Sequence, residues 1–172
     1  SEGAYAGRPA YDDIVQAAAG AVSLNRLIDP DEEPRYIATL AADKTTGLHA
    51  AYATLAALFH RERTGEGQFV EVPMLESFTS FLMIEHMNGH TWEPPQGDYG
   101  YHRIININRK PYRTKDGHIC IMPYSTDQWR AALHLGGIPI ADDDPRLQTM
   151  GGLARHFREL YGLLADVTAT RT

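Results

Sequence analysis

An aspartate at the start of a long apolar pattern is the residue of this sequence that is best placed to do chemistry. Asp43 precedes a run in which apolar residues recur at the spacing of one helix face, namely Leu48, Ala51, Tyr52, Leu55, Leu58 and Phe59. An aspartate carboxylate can attack an activated acyl group. Taken alone, however, an aspartate before a helix more often caps it by accepting a backbone N–H of the first turn.

The elements that position Asp43 follow from the residues after it. The apolar spacing predicts a helix over residues 45 to 63, with Gly65 as its stop. Residues Gln68 to Val72 are rich in strand-forming side chains and predict a short strand. Pro73 is suited to the first position of a second helix, predicted from Met74 to about Asn88.

Small residues follow the aspartate directly. Thr45, Thr46 and Gly47 are predicted to leave the first-turn N–H groups and the positive end of the helix dipole open to an anion. These three residues are therefore candidate donors to an oxyanion.

The stretch from Asp43 to Ser77 resembles, without a gap, the signature of the family III CoA-transferases, the CaiB/BaiF family. The shared features are the aspartate, the small-residue helix, the run R-E-R-T-G-E-G-Q, the strand and a helix that begins with Met. The resemblance implies that Asp43 is the nucleophile of an acyl-CoA:carboxylate CoA-transferase. The implied reaction passes through an aspartyl acyl anhydride and an aspartyl-CoA thioester, with coenzyme A as part of the substrate and no separate cofactor.

The resemblance also implies a CoA-binding set. The run G-R-P-A-Y-D-D near the N-terminus is similar to a segment that lies beside CoA in the family, which assigns Arg8 and Tyr11 to CoA binding, and Met74 matches a Met that lies against CoA. From the residues alone, Arg8 is also compatible with a solvated loop arginine and Tyr11 with a partly buried anchor.

Two alternatives stay open. The related α-methylacyl-CoA racemases pair the same Asp with a His that would fall at Tyr11. A tyrosine has a much higher ordinary pKa and is a poor acid/base there, which favours CoA transfer over epimerisation. The other alternative is a non-catalytic structural or dimerisation fragment, inactive by itself.

The predicted fold class is α/β for the parent fold and α+β within this chain. The resemblance assigns residues 1–92 to part of the large Rossmann-like domain with the catalytic Asp helix, 93–110 to a linker and 111–172 to the start of the small domain. It also implies that the chain is an internal fragment of a longer enzyme. In the last segment, Asp116-Gly117 predicts a hairpin, and helices are predicted at Asp127–Leu135 and about 151–168.

Composition excludes several classes of partner. The 172 residues carry a formal net charge of −6, which argues against a general nucleic-acid binder. There is one cysteine and no apolar run of about 18 residues, so we expect a cytoplasmic protein without a membrane span. His86 and His90 have metal-pair spacing, but Gly89 lies between them without a third ligand nearby, so no metal site is predicted. The expected partners are an acyl-CoA, a small carboxylic acid and a second copy in a homodimer.

Overall fold

The computed structural model describes residues 3–172 and divides the chain into two compact units, Ser1–Gly100 and Tyr101–Thr172. Each unit has its own apolar core. The division falls within the predicted linker of residues 93–110. The part of this linker up to Gly100 belongs to the first unit and the part from Tyr101 to the second. The assignment of the two units to a large and a small domain stays a prediction.

The first unit is helical in its described residues. Its helices are α1 (Asp12–Ala18), α2 (Leu24–Ile28), α3 (Ala41–Thr64) and α4 (Met74–Met83), with short 3₁₀ turns at Ala21–Ser23 and Asn88–Thr91. Its core joins α1, α3 and α4 through Val15, Ala21, Ala42, Phe78 and Leu82. Phe78 and Leu82 of α4 are both buried in this core.

Helix α3 is confirmed, but it begins four residues before the predicted start. Its end agrees with the prediction, because Gly65 follows it with a left-handed φ of 78°. Its apolar side chains, Leu48, Tyr52, Leu55 and Phe59 among them, are largely exposed within the described chain, and Ala42 is its one fully buried residue there. The periodic pattern therefore predicted the helix correctly, whereas most of the apolar face has no covering partner among residues 3–172.

The strand predicted at Gln68–Val72 is wrong for the described chain. These residues carry no strand pairing, and the side chain of Phe69 is 90% exposed. A strand needs a neighbouring strand for its backbone groups, and residues 3–172 provide none at this position. Helix α4 also departs from the prediction: it stops at Met83 rather than Asn88, and Pro73 is its N-cap instead of its first residue.

The second unit combines a hairpin with two helices. Strands β1 (Tyr112–Arg113) and β2 (His118–Ile119) pair antiparallel, with Tyr112 opposite Ile119. The predicted turn is confirmed, and the N–H of Thr114 donates to the carbonyl of Gly117 at 2.8 Å. Helices α5 (Thr126–Leu135) and α6 (Met150–Ala169) also match their predicted positions within one residue at each end.

Helix α6 provides most of the core of the second unit. Five of its side chains are buried in that core: Leu153, Phe157, Leu160, Tyr161 and Leu164. Trp129 of α5 packs edge-on against Tyr161, with ring centroids 5.1 Å apart. Ser125 caps α5 through a capping box with Gln128, which fixes the start of that helix.

The described residues thus form a helix-rich chain with one two-stranded antiparallel sheet. The Rossmann-like character of the parent domain stays a prediction. No helix between residues 3 and 172 is both long and apolar enough to cross a membrane.

Candidate active site

Asp43 is the third residue of α3, and its side chain is exposed. The N-cap position belongs to Leu40, which has no side-chain oxygen, and no side-chain cap is present there. Within residues 3–172, no hydrogen bond or ion pair involves the carboxylate of Asp43. The capping role that aspartates commonly have at this end of a helix is therefore not the role of Asp43.

The cap comes instead from a distant residue, Asp12. Its Oδ1 accepts hydrogen bonds from the backbone N–H of Ala42 at 2.8 Å and of Asp43 at 3.1 Å. Asp12 is 6% exposed and Ala42 is fully buried. Leaving such a buried N–H unpaired would cost about 1–3 kcal/mol, so Asp12 stabilises the turn that carries Asp43.

Asp12 lies in the first turn of α1 but does not cap that helix: the N-cap of α1 is Tyr11, and no side-chain cap bond is present there. Neither Asp12 nor Gln16, whose side chain bonds to Ile37 and Thr39 before α3, was predicted as a site residue. The available signal was the i, i+4 spacing of two polar residues in a short helix, which places them on one face. That spacing does not show which backbone groups they meet.

The expected oxyanion site at Thr45, Thr46 and Gly47 needs a correction. Because α3 begins at Ala41, these residues lie beyond its first turn, where each backbone N–H donates to the carbonyl four residues earlier. The N–H groups of the first turn are also engaged: that of Ala41 bonds to the carbonyl of Thr39, and that of Lys44 to the carbonyl of Leu40. The prediction of open N–H groups here is wrong.

One side-chain hydroxyl just after the first turn of α3 is still able to donate a hydrogen bond. Thr46 Oγ1 is buried and has no hydrogen-bond partner within the described chain. Thr46 follows Asp43 by three positions, so the two side chains share one side of α3. The carbonyl of Thr45, by contrast, is bonded to His49 Nδ1 at 2.8 Å.

Two of the three predicted CoA-binding residues line one cavity of the first unit. This cavity of about 170 Å³ lies between the N-terminal loop, α1 and the start of α4. Its lining includes Tyr5, Arg8, Ile14, Pro73 and Met74. The guanidinium of Arg8 lies over the ring of Tyr5, 5.2 Å from its centroid. A cationic and apolar lining suits a ligand with both an anionic and an apolar part.

Tyr11, the third predicted CoA-binding residue, is not part of this lining, and its side chain is 70% exposed. Asp43 does not line the cavity either. Among residues 3–172, no group of three or more His, Cys, Asp or Glu side chains is arranged to hold a metal ion. His90 stacks on Tyr99, with ring centroids 3.6 Å apart.

Comparison with known proteins identifies the family. The model of CoA-transferase family III matches residues 1–172, the whole chain. The chain belongs to CoA-transferase family III. The resemblance seen in the Asp43–Ser77 stretch is thereby confirmed.

Individual relatives of this family III chain are similar over nearly all of it. A succinate–glutarate CoA-transferase of Agrobacterium fabrum is 30% identical over 169 residues, which are 96% of this chain and 41% of that enzyme. The crystal structure of a hypothetical protein, Rv3272, from Mycobacterium tuberculosis matches with a TM-score of 0.74 and 28% identity, over 99% of this chain and 44% of that one. A CaiB/BaiF family protein from Brucella suis matches with a TM-score of 0.64 and 26% identity, over 99% and 45%. The family III chain thus spans less than half the length of these relatives.

Proposed function

We propose that the full-length protein transfers CoA from an acyl-CoA thioester to a small carboxylic acid, with Asp43 as the nucleophile. One observation carries this proposal: the carboxylate of Asp43 is exposed and without a partner in the described chain, while Asp12 does the capping. A carboxylate that is free of structural bonds is available for attack. Membership of CoA-transferase family III supports the reaction class.

In the first step, an oxygen of Asp43 attacks the thioester carbonyl carbon. A C–O bond forms, the C–S bond breaks, and CoA leaves as a thiolate, so that a mixed anhydride links Asp43 to the acyl group. The thiolate then attacks the side-chain carbonyl carbon of Asp43. The donor acid leaves as a carboxylate, and an aspartyl-CoA thioester remains.

The acceptor acid completes the exchange. Its carboxylate attacks the aspartyl thioester, which again releases the CoA thiolate and forms a second anhydride. Attack of the thiolate on the acceptor's acyl carbon gives the new acyl-CoA and restores the carboxylate of Asp43. No proton transfer and no external oxidant is needed, and bond making and breaking balance at each step.

Thr46 replaces the backbone N–H groups as the proposed donor to the tetrahedral oxyanion. Its hydroxyl is unpaired in the described chain and lies three residues from Asp43 on the same side of α3. Arg8 and Met74 are proposed to contact the CoA moiety through the cavity that they line, the cation facing phosphate and the thioether an apolar part. Tyr11 stays a proposed CoA contact that the cavity does not include.

The substrate class follows from the relatives by analogy. The Agrobacterium fabrum relative is named a succinate–glutarate CoA-transferase. We therefore expect short-chain dicarboxylic acids among the acceptors, and succinyl-CoA is a suitable first donor.

Assembly and location are further parts of the proposal. The exposed apolar side chains of α3, which include Leu48, Leu55 and Phe59, are consistent with a covered surface in a homodimer of the full-length protein. We expect that protein in the cytoplasm. Residues 1–172 alone are expected to be inactive, because the matched relatives are more than twice as long as this chain.

The experiment is a conservative substitution at Asp43. Asp43→Asn in the full-length protein keeps the shape of the side chain but removes the nucleophile, so CoA transfer from succinyl-CoA to glutarate should fall roughly 10⁴-fold or more. Asp13→Asn is the matched control, because Asp13 is also an exposed aspartate near the start of a helix. Transfer by Asp43→Asn at the rate of this control would disprove the proposal.

A further inference from the structure

The side chain of Asp12 has both oxygens engaged in hydrogen bonds. Oδ1 accepts from the N–H groups of Ala42 and Asp43, and Oδ2 accepts from Gln16 Nε2 at 2.5 Å. The residue is 6% exposed. A carboxylate that is buried and held at both oxygens does not attack a substrate, so its contribution has to come through the groups that it holds.

Gln16 extends this contact to the segment that leads into α3. Its side chain is fully buried, and its Oε1 accepts from the N–H of Ile37 at 2.8 Å. Its Nε2 also donates to the carbonyl of Thr39 at 3.3 Å. One face of α1 therefore holds residues 37 to 43, from before the helix to the nucleophile itself.

The bonds of this pair have a fixed direction. Ile37 can only donate from its N–H, so the amide oxygen of Gln16 must face it, and the NH₂ of Gln16 must face Asp12. Asp12 must then accept at both oxygens, because the N–H groups of Ala42 and Asp43 are donors too. A carboxylate at position 12 satisfies all of these donors, whereas an amide at position 12 satisfies only some.

We propose that Asp12 is a positioning residue for Asp43: through the bond to the backbone N–H of Asp43 it fixes the direction in which the nucleophilic carboxylate leaves α3. The inference rests on the proposed role of Asp43. The two carboxylates then have different roles: Asp12 is buried and bonded to backbone, and Asp43 is exposed and free to react. Because a displacement of about 1 Å can slow a reaction about 10²-fold, loss of this bond should act on kcat.

The test uses two variants of the full-length protein. In Asp12→Asn, the single amide oxygen cannot serve both Gln16 and the first turn of α3. In either orientation the new NH₂ faces an N–H donor, and this repulsion weakens the hold on the N–H groups of Ala42 and Asp43. The double variant Asp12→Asn/Gln16→Glu reverses that bond: the new amide donates to the new carboxylate, which still accepts from Ile37. The long bond to Thr39 is lost, and the new carboxylate oxygen faces the carbonyl oxygen of Thr39, so only a partial recovery is expected.

Asp12→Asn should lower kcat about 10²-fold, with KM for succinyl-CoA within twofold of wild type. The double variant should recover at least tenfold of that loss, which a nonspecific loss of stability would not explain. Ser125→Ala is the control, because it removes the cap of α5, a helix of the other unit. Its kcat should stay within twofold of wild type.

Amide hydrogen exchange gives a readout that does not depend on activity. Asp12→Asn should speed exchange at Ala42 and Asp43, and the double variant should restore protection. Asp12→Asn with wild-type kcat and a folded structure would overturn the inference, as would a folded double variant with restored protection but no recovery of kcat. An inactive Asp43→Asn beside either result would leave the proposed function standing. If Asp12→Asn does not fold, the double variant decides alone: a kcat within tenfold of wild type supports the inference, and a folded, protected double variant with a kcat about 10²-fold below wild type overturns it.

Discussion

The backbone N–H of Asp43 donates a hydrogen bond of 3.1 Å to the carboxylate of Asp12, which lies 31 positions earlier in the chain. This bond joins a short helix, α1, to the first turn of the long helix α3. It assigns to Asp12 the capping role that aspartates usually have near a helix start, and it leaves the carboxylate of Asp43 exposed.

The cavity beside α1 and α4 predicts a binding role for Arg8. Arg8→Ala in the full-length protein should raise KM for succinyl-CoA about tenfold, the effect of one lost charge-assisted contact, and leave kcat within twofold. Arg26→Ala is the matched control, since Arg26 is an exposed arginine of α2 outside the cavity lining. Steady-state kinetics of both variants check this, and an unchanged KM in Arg8→Ala would remove Arg8 from the CoA site.

Position 11 predicts the type of reaction. A racemase needs an acid/base group on each side of the α-carbon, and Tyr11 is a 70% exposed phenol at the N-cap of α1. Full-length protein incubated in D₂O with a 2-methylacyl-CoA and no acceptor acid should therefore leave the α-carbon free of deuterium. Mass spectrometry of the recovered thioester measures this. Deuterium incorporation would favour epimerisation over CoA transfer.

Asp144 and Arg146 predict a pH-dependent stability of the second unit. The hydrogen bonds from Arg146, 2.6 Å from Nη2 to Oδ2 among them, hold the pKa of Asp144 below its ordinary value. Because the folded pKa is lowered, this contribution to stability is present above the unfolded pKa of about 3.9 and is lost as pH falls through the folded pKa. Arg146→Met should lower the free energy of unfolding by about 1–3 kcal/mol at pH 7.

The same comparison at low pH checks the cause. Urea unfolding of wild type and Arg146→Met at pH 7 and near pH 3 should give a smaller difference at the lower pH, because protonation of Asp144 weakens the pair in wild type and the variant has no pair to weaken. A difference that is constant across this range would assign the effect of Arg146 to packing. Arg155→Met serves as a control on α6, since Arg155 is exposed and forms no ion pair within residues 3–172.

Two adjacent glycines of α6 predict opposite effects of alanine. A Cβ at Gly152 would lie 2.5 Å from the backbone carbonyl oxygen of Pro145, so Gly152→Ala should destabilise the second unit by about 1–3 kcal/mol. A Cβ at Gly151 meets no atom closer than 3.8 Å, and Gly151→Ala should stabilise the helix by about 0.4–1 kcal/mol. Urea unfolding measures both. Equal effects of the two substitutions would contradict the close approach at Gly152.

Elements with local signals were predicted correctly from the sequence. The Asp-Gly turn of the hairpin and the positions of α5 and α6 depend on neighbours within a few positions, and all are found in the structure. The family was also readable from the sequence, because the Asp43–Ser77 stretch carries its signature in unbroken order.

What the ends and faces of the elements contact depends on residues far apart in the chain, which only the folded structure brings together. The strand predicted at Gln68–Val72 has no partner within residues 3–172, because pairing depends on a neighbouring strand and not on propensity. The start of α3 could not be predicted from apolar spacing. Two N–H groups of its first turn bond to Asp12, which lies about 30 positions earlier in the chain, and no local pattern indicates that contact. For the same reason the free N–H groups expected near Thr45 are absent there, while the roles of Asp12 and Gln16 appear only once α1 is packed against the start of α3.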